Sequence, residues 1–230
     1  MVASGGGSPL DLGYTRLVTA PHGRAGRFIT LEGPDGSGKT LHAARLAEAL
    51  RARGHDVVLT REPGGTSLGE RIRALLLTRG EAPLGPRTDA LLFNAARAQH
   101  VWEVVDPALA AGRLVVCARY ADSTLAYQGY GSGVPLNELR ELIAIATGGR
   151  TPDRTVLLDL PVEAGLRRKS PDDTETRFET AFDLAFHERV RAGFLEMAGS
   201  EPARWVVVDA DRSAAEIFTD VLSAALAIVA

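Results

Sequence analysis

The chain has 230 residues, of which 45% are hydrophobic, so it is long and apolar enough to bury one substantial core. Its net charge of −3 gives no electrostatic reason to expect nucleic-acid binding, and it has no apolar run of the roughly 18 residues that a membrane-spanning helix needs. One cysteine excludes an intrachain disulfide framework and is typical of a protein of the reducing cytoplasm. Residues 1–26 combine a Gly-Gly-Gly-Ser stretch with polar breaks, so we predict a flexible N-terminal extension ahead of one domain at residues 27–230.

Short apolar runs and longer stretches of helical periodicity alternate along the domain. In chain order, the pattern predicts a strand at 28–32, a helix at 39–53, a strand at 57–60, helical spacing over 68–76, a helix at 88–111, a strand at 114–117, a helix around 139–143 that ends at Gly148, strands at 156–160 and 205–209, and a closing helix at 214–228. Five apolar strands separated by helices are typical of a parallel sheet that is covered on both faces. The predicted fold class is therefore α/β, a three-layer sandwich with a five-stranded parallel sheet.

A glycine-rich stretch follows the first predicted strand and opens the first predicted helix. It matches G-x-x-x-x-G-K-[ST], in which backbone N–H groups converge on phosphate oxygens, the lysine reaches the β- and γ-phosphates and the hydroxyl ligates Mg²⁺. The alternative is an ordinary glycine-rich turn with a solvated lysine, but the position between strand and helix favours the phosphate site. The sequence thus predicts a P-loop NTPase fold with a phosphate cradle at Gly33, Pro34, Asp35, Gly36, Ser37, Gly38, Lys39 and Thr40, with Thr40 as the Mg²⁺ ligand.

A P-loop alone does not separate a small-molecule kinase from a GTPase or a motor. Residues 60–66 read Thr-Arg-Glu-Pro-Gly-Gly-Thr and follow the second strand, at the edge where open α/β sheets bind ligands. In this motif Arg61 offers a planar donor fork for a phosphate. Phe93 and Arg97 are spaced i, i+4 and share a helix face, so they can stack on a base and hydrogen-bond it. The alternative is a core phenylalanine beside a surface arginine.

Polar residues also follow the third predicted strand, in the run Ala-Arg-Tyr-Ala-Asp-Ser-Thr-Leu-Ala-Tyr-Gln-Gly at residues 118–129. Arg119 is placed to bind a phosphate at the sheet edge. Ser123, Thr124, Tyr127 and Gln128 supply hydroxyl and amide groups that can read a sugar or a base. By themselves these residues are equally consistent with a polar loop.

In this order and spacing, the segments resemble the thymidylate kinase family over about residues 27–230, and the motifs at 60–66 and 126–129 (Ala-Tyr-Gln-Gly) are specific to it. The resemblance implies an ATP-dependent nucleoside monophosphate kinase that uses Mg²⁺ and transfers the γ-phosphate of ATP to dTMP, giving dTDP for dTTP biosynthesis. It also implies a two-fold homodimer, whereas the composition alone leads us to expect a cytoplasmic protein with no nucleic-acid or membrane partner. The implied roles are stacking on thymine for Phe93, a hydrogen bond to the base for Arg97, acceptor-phosphate contacts for Arg61 and Arg119, rejection of a 2′-hydroxyl for Tyr127, a nucleotide contact for Gln128, and contact with the acceptor's sugar and phosphate for Asp35.

The family resemblance further implies a lid that carries a catalytic arginine, because the P-loop itself contains no basic residue among Pro34, Asp35 and Ser37. The charged segment at about 167–178 supplies the candidates, although a solvated charged loop is the alternative. The lid candidates are Arg167, Arg168, Lys169 and Arg177, and the predicted catalytic set is Lys39, Arg119, Asp35, Arg168 and Arg177.

One position departs from the family pattern. Where the family has Asp-Arg-Tyr or Asp-Arg-His, this chain has Ala118, Arg119 and Tyr120, which removes a carboxylate from near the metal and the phosphates. Asp35 and Asp159 are the candidates that would compensate, or Thr40, ATP and water would hold Mg²⁺. Two alternatives therefore stay open: a catalytically weakened nucleotide-binding protein, and a kinase for another nucleoside monophosphate.

Overall fold

The computed structural model describes residues 26–78, 84–168 and 183–229 of the chain. Its five strands are β1 Phe28–Glu32, β2 Val57–Arg61, β3 Leu114–Ala118, β4 Arg154–Asp159 and β5 Trp205–Asp209. All neighbouring strands pair in parallel, in the order β2-β3-β1-β4-β5. The predicted five-stranded parallel sheet is confirmed, and the strand that precedes the P-loop lies at its centre.

Helices cover both faces of the sheet. They are α1 Lys39–Arg51, α2 Ser67–Leu77, α3 Pro86–His100, α4 Asp106–Ala110, α5 Ala121–Thr124, α6 Leu136–Thr147, α7 Val162–Arg168, α8 Leu184–Ser200 and α9 Ala214–Val229, with two π-helical stretches, π1 Val101–Val105 and π2 Leu125–Gly131. Because side chains alternate along a strand, β1 directs Ile29 and Leu31 to the face that α1 and α9 cover. Phe28 lies on the opposite face against π1, and Leu157 of β4 lies on that face against π2 and α8.

Three segments differ from what the sequence predicted. The helix at 88–111 is present as α3, π1 and α4 in succession, since π-helical hydrogen bonding interrupts it. The residues after β3, for which a polar loop stayed open, form α5 and π2. Helix α8 had no prediction, although its buried residues Phe186, Val190 and Phe194 recur every four positions.

The sheet brings the functional segments to one edge. Leu31 of β1 and Arg61 of β2 are both in register with Ala118 of β3, so the P-loop and the segments after β2 and β3 begin side by side. Within the described ranges, no helix is long and apolar enough to cross a membrane. The predicted extension, except for residue 26, and the lid candidates Lys169 and Arg177 lie outside the described residues.

Candidate active site

The P-loop curls around the ammonium group of Lys39, between β1 and α1. Lys39 Nζ donates to the carbonyl oxygens of Gly33 (2.9 Å) and Pro34 (2.6 Å) and to Ser37 Oγ (3.3 Å). The loop closes through positive φ angles at its glycines, and α1 begins with Lys39 itself. Thr40 is exposed on the first turn of α1, where free backbone N–H groups favour an anion. The loop therefore has the cation and the converging donors that a phosphate cradle needs.

Helix α7 packs directly on the P-loop at a contact between two glycines. A Cβ on Gly36 would lie 2.4 Å from the carbonyl oxygen of Gly165, so neither residue can carry a side chain without moving the helix. This contact brings Arg168, the last residue of α7, to the rim of the site. Its guanidinium donates to the carbonyl oxygen of Ala210 (2.8 Å). Arg167 is exposed beside it.

Arg119 lies beside the P-loop in an unusual backbone conformation. Its φ angle of +68° falls in the left-handed region, and its N–H donates to the carbonyl oxygen of Leu31 (3.0 Å). The guanidinium donates to the Asp35 carboxylate, to Ser123 Oγ (3.1 Å) and to Tyr127 Oη (3.2 Å). Although burial acts against its charge, Tyr127 and Asp35 hold the pKa of Arg119 above its usual value. Arg119 is thus a fixed cation next to the phosphate cradle.

Arg97 is a buried cation on the opposite side of the site. It is only 2% exposed, so it is not the surface arginine that the alternative interpretation required. Its Nε donates to Glu62 (2.8 Å), its Nη1 to Asn94 (2.8 Å) and its Nη2 to the carbonyl oxygen of Tyr120 (3.0 Å). The second oxygen of Glu62 bonds His100 Nδ1 (2.9 Å). A buried ion pair with this many partners fixes the direction of the guanidinium.

A cavity of about 480 Å³ lies between the P-loop, α2, α3 and π2, within the range of small-molecule sites. The predicted residues that line it are Asp35, Gly36, Gly38, Lys39, Thr40, Phe93, Arg97, Arg119, Ser123, Thr124, Tyr127, Gln128 and Arg168. The predicted and described residues that do not line it are Gly33, Pro34, Ser37, Arg61 and the lid candidate Arg167. A second groove of about 570 Å³, between β5 and α9, contains none of the predicted site residues. The structure therefore joins the P-loop and the proposed acceptor residues in one cavity.

Of the two arginines next to the carbonyl oxygen of Pro63, Arg73 lines the cavity and the predicted Arg61 does not. Arg61 is 41% exposed and is bound by both oxygens of Glu70 (2.8 and 3.1 Å). Arg73, which the sequence analysis missed, lines the cavity and donates to the carbonyl oxygen of Pro63 (3.0 Å). Burial and the neighbouring Arg61 lower the pKa of Arg73. In the sequence, Arg73 could have been noticed as a basic residue on the first helix after the 60–66 motif, on the same helix face as Glu70.

A hydroxyl group in the cavity wall has no hydrogen-bond partner in the part of the chain that the structure describes. Thr124 is 1% exposed, and its Oγ1 makes no hydrogen bond to any described residue. Buried polar atoms are nearly always hydrogen-bonded, so an unpaired hydroxyl that lines a cavity points to a ligand atom. Gln128 is also buried in this wall, and Phe93 lines the cavity from α3.

The residues around the P-loop leave few ligands for a metal ion. Ala118 packs among apolar residues on the α1 side of the sheet, where a carboxylate would have faced the P-loop helix. Both oxygens of Asp159 are bound by Arg191 (2.7 and 2.8 Å), and Asp35 is bound by Arg119. No described residues form a group of three His, Cys, Asp or Glu side chains suited to a metal. Since Mg²⁺ on a nucleotide needs only one or two protein ligands, the exposed hydroxyl of Thr40 fits it.

Comparison with known proteins matches the part of the chain that contains this site to one family. The family model described as thymidylate kinase matches residues 31–221. A thymidylate kinase from Thermomicrobium roseum is 57% identical over 184 residues, which cover 80% of this chain and 86% of the relative. One from Deinococcus radiodurans is 51% identical over 199 residues, covering 86% and 96%. The crystal structure of thymidylate kinase from Ehrlichia chaffeensis superposes with a TM-score of 0.71 at 34% identity, covering 86% of this chain and 98% of that one. The chain belongs to the thymidylate kinase family, whose members are ATP-dependent nucleoside monophosphate kinases.

Proposed function

We propose that the cavity binds dTMP beside MgATP and that the chain transfers the γ-phosphate of ATP to the 5′-phosphate of dTMP. The observation that carries this proposal is the cavity itself, which Lys39 lines on one side and Arg97, Thr124 and Phe93 line on the other. A donor site and a base-reading site that share one cavity place the two phosphates next to each other.

The acceptor half supports a pyrimidine with a keto oxygen. Phe93 offers an aromatic face for stacking. Three of the five N–H groups of Arg97 are bound by protein, which leaves two donors for an exocyclic oxygen. The unpaired hydroxyl of Thr124 adds a further donor or acceptor. Tyr127 and Gln128 would lie near the sugar, where the ring of Tyr127 opposes a 2′-hydroxyl.

Phosphoryl transfer depends mainly on positioning and on cations at the phosphate oxygens. Lys39 and Arg119 supply two fixed cations, and Asp35 orients the second of them. Mg²⁺, held by Thr40 together with the nucleotide and water, would neutralise phosphate charge when bound. Arg168 lines the cavity, and its guanidinium is held by the carbonyl oxygen of Ala210 (2.8 Å) and by Asp211 (3.3 Å). The roles of all the individual site residues stay predictions, including those of Arg61, Arg168 and the undescribed Arg177, as does the cytoplasmic location.

The family resemblance implies a two-fold homodimer, and we propose for its interface the exposed side of α3 and of π1, which continues it. Leu91, Ala95, Ala98 and Trp102 are spaced by four, three and four residues, as one helix face requires. All four are exposed, and Trp102 is 71% exposed. An apolar stripe of this kind on a helix whose other side is buried is typical of a protein interface.

A coupled assay of ADP formation tests the function. MgATP is supplied with dTMP, dUMP, dCMP, dGMP or shikimate, and only dTMP is expected to release ADP at a high rate. Equal rates with another monophosphate would assign a different kinase. Binding of dTMP by calorimetry without turnover would favour the catalytically weakened alternative, for which the missing carboxylate at Ala118 is the specific reason.

A further inference from the structure

The last residue of β1, Glu32, is a buried carboxylate that directly precedes the P-loop. Glu32 has no exposed surface. Its Oε1 accepts the backbone N–H of Tyr120 (2.7 Å), and its Oε2 accepts the hydroxyl of Ser123 (2.6 Å). Both partners belong to the segment that follows β3. Glu32 therefore ties the P-loop strand to the acceptor side of the site.

Both contacts of Glu32 act on Arg119. Tyr120 is the next residue in the chain, so its bound N–H fixes the peptide that follows the left-handed Arg119. Ser123 donates its only hydrogen to Glu32, which leaves its lone pair to accept from Arg119 Nη1 (3.1 Å). A left-handed conformation in a residue with a Cβ persists only where its surroundings enforce it.

From this geometry we propose that Glu32 is a positioning residue that, in its ionised form, holds Arg119 in its orientation toward the transferred phosphate. The proposal rests on the proposed kinase function and on the role of Arg119 in it. An ionised carboxylate accepts from both Tyr120 and Ser123. A protonated one must donate from one oxygen. Donation to Ser123 would reverse that hydrogen bond, so the hydroxyl hydrogen of Ser123 would lose its acceptor on Glu32 and turn elsewhere, next to the Arg119 guanidinium.

The surroundings of Glu32 raise its pKa to near neutral pH. Burial, and then the charge of Asp122, raise the pKa of Glu32 to about 7, against the lowering effects of Ser123 and Arg119. Asp122 is itself paired with Arg204 (2.7 Å). Cys117, which also interacts with Glu32, stays protonated because burial raises its pKa.

The raised pKa also gives an effect on stability that does not depend on turnover. The folded state keeps a proton on Glu32 that the unfolded state loses between pH 4.5 and about pH 7, so the contribution of Glu32 to the free energy of unfolding falls as pH rises through this range. In Glu32→Gln this term is absent. The Tm of the variant minus that of the wild type is expected to increase from pH 5 to pH 8.

The deciding experiment measures kcat, KM for dTMP and KM for ATP between pH 6 and 9. Wild-type kcat is expected to rise with pH through about 7. Glu32→Gln should lose that rise and have kcat about 10- to 100-fold lower at pH 8, as for a lost charge-assisted hydrogen bond, with KM for ATP unchanged. Ser123→Ala removes a contact that lowers the pKa of Glu32. The rise of kcat with pH in this variant should therefore occur at higher pH than in the wild type.

Asp153→Asn is the matched control, because Asp153 also binds a backbone N–H of β1, but at the other end of the strand. It should keep the wild-type pH profile.

A Glu32→Gln variant that retains both kcat and the pH rise overturns the proposal and leaves the kinase function intact. If the wild type binds dTMP without turnover, the affinity for dTMP is measured in place of kcat. An affinity that changes with pH in the wild type but not in Glu32→Gln supports the proposal. If wild type neither turns over nor binds dTMP, the function and this inference fail together. Should Glu32→Gln not fold, an unshifted profile in Ser123→Ala overturns the proposal.

Discussion

Replacing Gly193 with alanine tests whether close packing of α8 on π2 shapes the acceptor site. A Cβ on Gly193 would lie 2.4 Å from Cγ and Cδ2 of Tyr130 and 2.8 Å from its Cβ. These atoms are at the base of the side chain, so a ring rotation cannot clear them, and π2 must retreat from α8 by about 1 Å to restore an ordinary contact of 3.4 Å. The retreat also stretches the hydrogen bond from Tyr130 Oη to Glu196 (2.8 Å).

Gly199→Ala is the matched control for this change. Gly199 lies on the same helix, and a Cβ there would meet nothing within 4 Å. The control therefore measures the gain in helix propensity alone, about 1 kcal/mol or less. Overpacking typically costs about 1–3 kcal/mol. For a chain of this length the Tm of Gly193→Ala is expected to lie about 2–12 °C below that of Gly199→Ala.

The same displacement should reach the substrate, because Tyr127 and Gln128 lie on π2 and line the cavity. A misplacement of about 1 Å can lower catalysis as much as 100-fold, so we expect kcat/KM for dTMP to fall at least about tenfold in Gly193→Ala. KM for ATP should not change, since the P-loop does not contact α8 through this position. Thermal unfolding and initial-rate kinetics of both variants give the answer. Equal Tm and equal kcat/KM in the two variants would refute the argument from packing.

Four further changes test the proposed roles. Lys39→Ala should lower turnover at least about 100-fold while leaving dTMP affinity largely intact, and normal activity would contradict the phosphate role. Phe93→Ala should raise the Kd of dTMP about 5- to 150-fold, as for a lost stacking partner, and an equal effect on ATP would count against stacking. Ala118→Asp should lower the Mg²⁺ concentration needed for half-maximal turnover, while Ala118→Asn, which adds bulk without charge, should not. Trp102→Glu should give monomers in sedimentation velocity where the wild type gives dimers, and an unchanged sedimentation coefficient would place the interface elsewhere.

Local patterns in the sequence predicted the sheet and the P-loop. An apolar run, a glycine-rich turn and a helical period all lie within about 25 consecutive residues, so each can be recognised without knowing which distant residues it contacts. Helix α8 was detectable in the same way. Its N-cap Asp183 and its four-residue apolar spacing are present in the sequence, but they follow directly on the charged segment predicted as a lid.

Contacts between distant residues could not be predicted in this way. The i, i+4 spacing placed Phe93 and Arg97 on one helix face, but the burial of Arg97 depends on Glu62, which is 35 residues away. The left-handed turn at Arg119 depends on Glu32, which the sequence presents only as the charged end of an apolar strand. The residues of π2 pack against α8, which lies far from π2 in the sequence. In the sequence, Glu32 could have been noticed as an ionisable residue at the end of a buried strand.

These contacts also limit what the substitution at Ala118 can change. Two of the proposed acceptor-side arginines are held by carboxylates from different segments, Arg97 by Glu62 and Arg119 by Asp35. Neither pair includes position 118, whose methyl group packs on the α1 side of the sheet among apolar residues. The arginines therefore keep their orientation without a carboxylate at position 118. Its loss should weaken the hold on Mg²⁺ and the donor phosphates, and a defect that appeared instead in dTMP binding would mean that the two halves of the site are not independent.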